Sequence, residues 1–189
     1  MKNVKTPPKT AEKVFLPERL KPIAEAFGTL AVIWGGLELG VSNLLATMLK
    51  LAPGEAGAVV TGNIQLKSQL EIIKHMALIL KPSDKWYQLV INTANNINCH
   101  LCTERNRMFH DFWTDSPTPE KMTRITLKPK LEERQDGKGK QLKQQQLLMT
   151  ADMISNLTYR VMTAHLNLNT ATHYLNRHFE RAASFPHSP

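Results

Sequence analysis

The run AFGTLAVIWGGLELGVSNLLATML, Ala26 to Leu49, constrains this chain more than any other stretch. Phe27, Leu30, Trp34, Leu37, Val41, Leu44 and Met48 recur at steps of three and four, the spacing of one helical face. Val32, Ile33, Leu39 and Leu45 make the flanks apolar as well, so the helix is central in its domain or is covered by a second subunit. Gly35, Gly36 and Gly40 permit a neighbour to approach closely, at a cost in helix propensity. The run is long enough for a bilayer, which needs roughly 20 apolar residues. Glu38 near its centre, with Thr29, Ser42 and Asn43 around it, favours a buried helix over a membrane span.

With this helix placed at about Pro22–Leu51, the remaining chain divides readily. Residues 1–17 hold four lysines and three prolines and read as a flexible basic arm. APGEAGAVVTGN breaks the helical pattern, and Asn63 can cap a second helix reaching about Lys81. Pro82 stops that helix, and Ser83 is a fitting N-cap for a third that carries Trp86, Leu89, Val90, Ile97 and Leu101. TDSPTPE reads as a turn-rich connection. Residues 122–146 read as a β-hairpin around Asp136-Gly137, with Pro129 confining the first arm to an edge. A fourth helix begins near Thr150, with its stripe on Met153, Leu157, Val161, Ala164 and Leu168, and reaches about Phe179. The expectation is an all-α domain over 18–180, a four-helix bundle with a hairpin insertion before the last helix, and a loose tail at 181–189.

The net charge of +8 would attract anions such as nucleic acid, a membrane surface or an acidic partner. Eight basic and three acidic residues between Lys121 and Lys143 make the hairpin a positive surface. Two cysteines, Cys99 and Cys102, exclude a disulfide framework. CHLC lacks a thioredoxin-like βαβ setting, and His75, His100 and His110 stand at no recognised zinc spacing, so both thiols read as reduced and no metal is expected. No apolar run follows MKNVKTPPKT directly, so a cytoplasmic rather than secreted location is expected. Phosphate loops and the HExxH and GxSxG signatures are absent from the sequence.

The chemistry concentrates in TERNRMFHDFW, Thr103 to Trp113. Cleaving RNA without a metal needs a group that moves a proton at the 2′-hydroxyl or leaving oxygen, a role open to the imidazole of His110. It also needs charge stabilisation at the phosphate, which an arginine fork provides. Asn106 and His110 share a helical face, whereas Arg105 lies roughly 140° from His110 on an ideal helix. Arg107 is better aligned with His110. Either the helix unwinds near Phe109, Arg105 bends around, or a second subunit completes the cluster. The structural reading has Arg105, Arg107 and His110 as C-terminal cations favouring the helix dipole. Glu38, a lone carboxylate among apolar residues, calls for a cationic partner, with Arg105 or Arg107 the natural candidates.

RNRMFH reads as Arg-Asn-x-x-x-His, which resembles the signature of HEPN domains (higher eukaryotes and prokaryotes nucleotide-binding). Trp113 and WGGLE, Trp34 to Glu38, are similar to features of bacterial members. The likeness covers most of the bundle by helix order, while its specific motif spans six residues. His110 is followed by Asp111 where the family often has a small residue. The resemblance implies a dimeric helical bundle acting as a metal-independent, cofactor-free ribonuclease of toxin or defence type, or else a non-catalytic binding or assembly module. Its implied partners are RNA, a second copy and an antitoxin protein, with no membrane. Arg105 would contact the scissile phosphate, His110 would serve as general acid or base, and Asn106 would orient one of them. Glu38, Arg107 and Asp111 would support the site, Asp111 by holding one tautomer of His110 or by capping the helix. The products would be a 2′,3′-cyclic phosphate and a 5′-hydroxyl, formed in a cleft where two motif copies face each other.

Overall fold

The computed structural model describes residues 17–51, 55–118, 120–133 and 140–184. It is mainly helical with one small antiparallel sheet. The basic arm up to residue 16, the Asp136-Gly137 turn and residues 185–189 lie outside the described residues.

One turn of 3-10 helix, Glu18–Leu20, leads into α1, Lys21–Met48. Pro22 sits in its first turn, where a missing N–H costs no intrahelical bond. By length and composition α1 could cross a membrane. Here Leu30, Trp34, Leu37, Val41, Leu44 and Met48 form the centre of the core, while Phe27 packs at its margin.

The stretch that reads as a breaker contains a further short helix, α2, Glu55–Gly62. Its small residues carry almost no periodic signal, so packing rather than patterning fixes it. Asn63 is not the cap of the next helix. Its amide donates to Val59 O at 2.7 Å, and α3, Leu66–Leu80, starts after Gln65. Buried Gln69 donates to Thr61 O and Ile64 O at 2.9 and 2.8 Å and accepts from Ser42 Oγ at 3.1 Å. That one side chain ties α1, α2 and α3 together with its polar atoms satisfied.

The chain turns at Lys81, in the left-handed region, just before Pro82. Ser83 caps α4, Asp84–Asn96, by accepting from Trp86 N–H at 3.2 Å. A π-helical turn, Ile97–Leu101, then joins α4 to α5, Cys102–His110. Beyond α5 the chain is already extended: Phe112–Asp115 is strand β1, where a turn-rich connection was expected to begin at Thr114. It pairs with Met122–Ile125 of β2, Met122–Glu133, which in turn pairs with β3, Lys140–Met149. The sheet therefore has three strands in the order β1-β2-β3 rather than two. β1 was hidden because a four-residue strand beside a polar turn offers too few alternations to read. Among the described residues, Pro129 lies where β2 has β3 alone beside it, at a register shift between Lys128 and Leu131, the kind of place a proline suits.

Helix α6, Ala151–Ser184, is longer than its sequence pattern. Arg181 to Ser184 continue it rather than forming a loose tail. Helix α1 packs on α6 and α3, and α4 packs on the same two, closing a ring of helices around the core. Trp86 closes it chemically, its indole N–H donating to Ala171 O in α6 at 2.9 Å.

Candidate functional site

Helix α5 is pinned by its aromatic residues. Phe109 and Trp113 both meet Phe27 of α1 edge-on, with centroids 5.8 and 5.0 Å away. The Trp113 indole donates to Met108 O at 3.0 Å, so the strand after the helix folds back onto it. The helix is regular from Cys102 to His110. Of the three alternatives, unwinding near Phe109 does not occur; the irregularity is the π-helical turn directly before α5, which resets the angular phase of everything after it. Within α5 the five-residue spacing consequently keeps Arg105 and His110 on different flanks, roughly 140° apart.

Arg105 lies on the α1 flank. Its guanidinium carbon sits 5.4 Å from the Trp34 ring centroid and 4.9 Å from that of Phe109. Its Nη1 donates to Asn106 Oδ1 at 3.2 Å, and its buried Nε has no hydrogen-bond partner among the described residues. Among the described residues Arg105 forms no ion pair within 4 Å. The expected pairing with Glu38 is replaced: Glu38 accepts from the Trp34 indole N–H, one turn earlier on α1, at 2.7 Å. The reason is geometric, since a buried indole N–H needs an acceptor and residues four apart face each other. The carboxylate thus serves the edge of the ring whose face receives the arginine. Both charges still reach Cys102, whose thiol is pushed up by burial and then by Glu38, with Arg105 pulling the other way.

His110 is exposed at the end of α5 and makes no hydrogen bond among the described residues. Asp111, which leaves the helix with extended backbone, does not hold it. Its carboxylate accepts from Thr126 Oγ1 and lies 3.5 Å from Arg124 Nε. Trp113 pairs with Arg124 in the sheet register, which brings the Arg124 side chain back beneath α5. Arg124 reaches Met108 Sδ at 3.7 Å, and burial, partly offset by Asp111, lowers its pKa. Arg107 is exposed on this same sheet-facing flank and lines a groove there. Of the sequence-predicted residues, then, Arg105 and Asn106 are together, Arg107 and Asp111 lie on the opposite flank, and His110 stands between them. Arg124 was invisible in the sequence because nothing but strand register relates it to Asp111.

Cys99 is exposed and Cys102 half-buried, and both are free thiols. Among the described residues no three His, Cys, Asp or Glu side chains gather as a metal site would require. No model of a known protein family, curated protein or solved structure matches this chain.

Proposed function

We propose that this chain is a HEPN-like, metal-independent endoribonuclease of toxin or defence type, acting as a homodimer on RNA. The observation that carries this reading is Arg105: a guanidinium held on two aromatic faces, without a carboxylate partner among the described residues, on the same short helix as an exposed histidine. A cation so placed is ready for an external anion, and a phosphate is the anion that its fork fits best. His110 then takes the 2′-hydroxyl proton or supplies one to the leaving oxygen, and Asn106 orients the arginine it already accepts from.

Because Arg105 and His110 occupy different flanks, catalysis is assigned to a composite cleft in which one copy supplies the arginine and the other the histidine. The outer face of α1, beside the Arg105 flank, offers a surface for that pairing. Gly28, Val32, Gly35 and Leu39 are exposed there, Val32 by 74% and Leu39 by 60%, with no charge among them.

The second reading is a non-catalytic HEPN-like binding or assembly module, favoured by the lack of any hydrogen bond from His110 to Arg105 or Asn106. Purified protein incubated with total RNA and EDTA separates the two. Wild type is expected to cut the RNA, and His110→Ala and Arg105→Ala to lose at least about 100-fold in rate while staying folded. Intact RNA at every wild-type concentration, or cutting by both variants equal to wild type, would overturn the ribonuclease reading.

A further inference from the structure

The flank of α5 opposite Arg105 carries a second feature. A groove of about 450 Å³ opens between α5, the β2–β3 sheet and the first turns of α6. Its exposed apolar lining is Met153 of α6 and Leu147 of β3, over a floor in which Met108 of α5 and Met149 of β3 are buried. The Met153 thioether gives that lining a soft, polarisable face that accepts a flat ring without demanding one orientation.

The polar groups are arranged around that surface. Arg124 lies in the wall with its side chain only 11% exposed, held by Asp111, and its Nε has no hydrogen bond among the described residues. Arg107 is exposed at the mouth, near enough for its charge to act on Arg124. Two arginines brought together in this way repel, and an anion between them relieves the repulsion. Of the nearby carboxylates, Glu104 is gripped by both terminal nitrogens of Arg160 at 2.8 Å, and Asp111 is occupied by Arg124 and Thr126. Asp152 and Asn156 remain on the α6 side as acceptor and amide.

A soft apolar surface, two arginines at one end and, at the other, a carboxylate without an ion pair among the described residues match the base, the phosphate and an exocyclic or hydroxyl donor of a ribonucleotide. We propose that this groove seats one nucleotide of a single-stranded RNA, its base against Met153 and Leu147 and its phosphate on Arg107, with Arg124 as the positioning residue behind. The proposal rests on the RNA-directed reading above and adds a subsite to it. His110, three residues from Arg107 on the crest of α5, is where the strand leaves the groove.

Binding, rather than cleavage, tests it. The probe is a labelled single-stranded RNA of roughly ten nucleotides, within the span of single-strand sites, titrated against full-length protein carrying His110→Ala. On that background Arg107→Gln is expected to weaken binding about fivefold or more and to lower the log–log salt slope by about one. Arg107→Lys should restore the slope. Met153→Glu, at an exposed position that leaves the core intact, should weaken binding about fivefold or more with an unchanged thermal midpoint. Unchanged affinity in both Arg107→Gln and Met153→Glu overturns the subsite. If wild type then still cuts RNA, the ribonuclease reading survives that failure. If wild type cuts nothing but the variants lose RNA binding, the subsite stands and the ribonuclease reading falls. Absence of RNA binding by any form overturns the subsite outright.

Discussion

At the scale of single residues, the site is organised by rings rather than by ion pairs. Arg105 spends its charge on the faces of Trp34 and Phe109, and the carboxylate expected to neutralise it, Glu38, accepts from the edge of Trp34. The sequence presented all four residues, yet a carboxylate has two competing donors here, and only side-chain direction decides between them. Cys102 reports on the same neighbourhood. Burial and Glu38 hold its thiol above the ordinary range, so little thiolate forms near neutrality, whereas Cys99 is exposed. Iodoacetamide at neutral pH should therefore label Cys99 first, with Cys102 following at least about tenfold more slowly. Because its thiol pKa is raised, Cys102 labelling keeps accelerating at alkaline pH. Peptide mapping by mass spectrometry reads both rates, and preferential labelling of Cys102 would contradict the burial order.

At the scale of elements, the α1–α6 contact is set by glycine. A Cβ built at Gly40 would come within 3.0 Å of His165 Nδ1 and 3.5 Å of a Leu168 methyl. At Gly35, five residues earlier on the same helix, it would meet nothing within 4 Å. Gly35→Ala is expected to gain up to about 1 kcal/mol from helix propensity, with a matching rise in the urea midpoint. Gly40→Ala must displace the His165 ring and should fall clearly below the Gly35→Ala protein. Equal gains at both positions would show that the helices are not held by this close approach. The two glycines look alike in the sequence, since periodicity places them on the helix without saying where the neighbour lies. The same limit hid α2 and β1, elements too short for their own pattern to rise above the turn residues around them. The helix from Ser83 was legible as far as its cap and apolar face. Its π-helical turn was not, because that turn depends on what packs against each side of it.

At the scale of the whole molecule, the composite-cleft proposal turns on association. Wild type is expected to have the mass of a dimer by sedimentation. Val32→Glu combined with Leu39→Glu, both at exposed positions, should weaken dimerisation more than about tenfold and abolish cleavage without changing the helical signal. A wild-type monomer at cleavage-competent concentrations would remove the cleft. The sequence by itself determined the helical core, since the three-and-four spacing in α1 and α6 allows those apolar residues no other efficient burial. It also determined which helix carries the motif. The tertiary structure alone decided which flank each motif residue faces and that Asp111 serves Arg124 rather than His110. It also paired Trp113 with Arg124, making a groove from residues far apart in the chain. Periodicity is a local property that fixes a face. Register and interhelical packing are long-range, and they settle what that face meets.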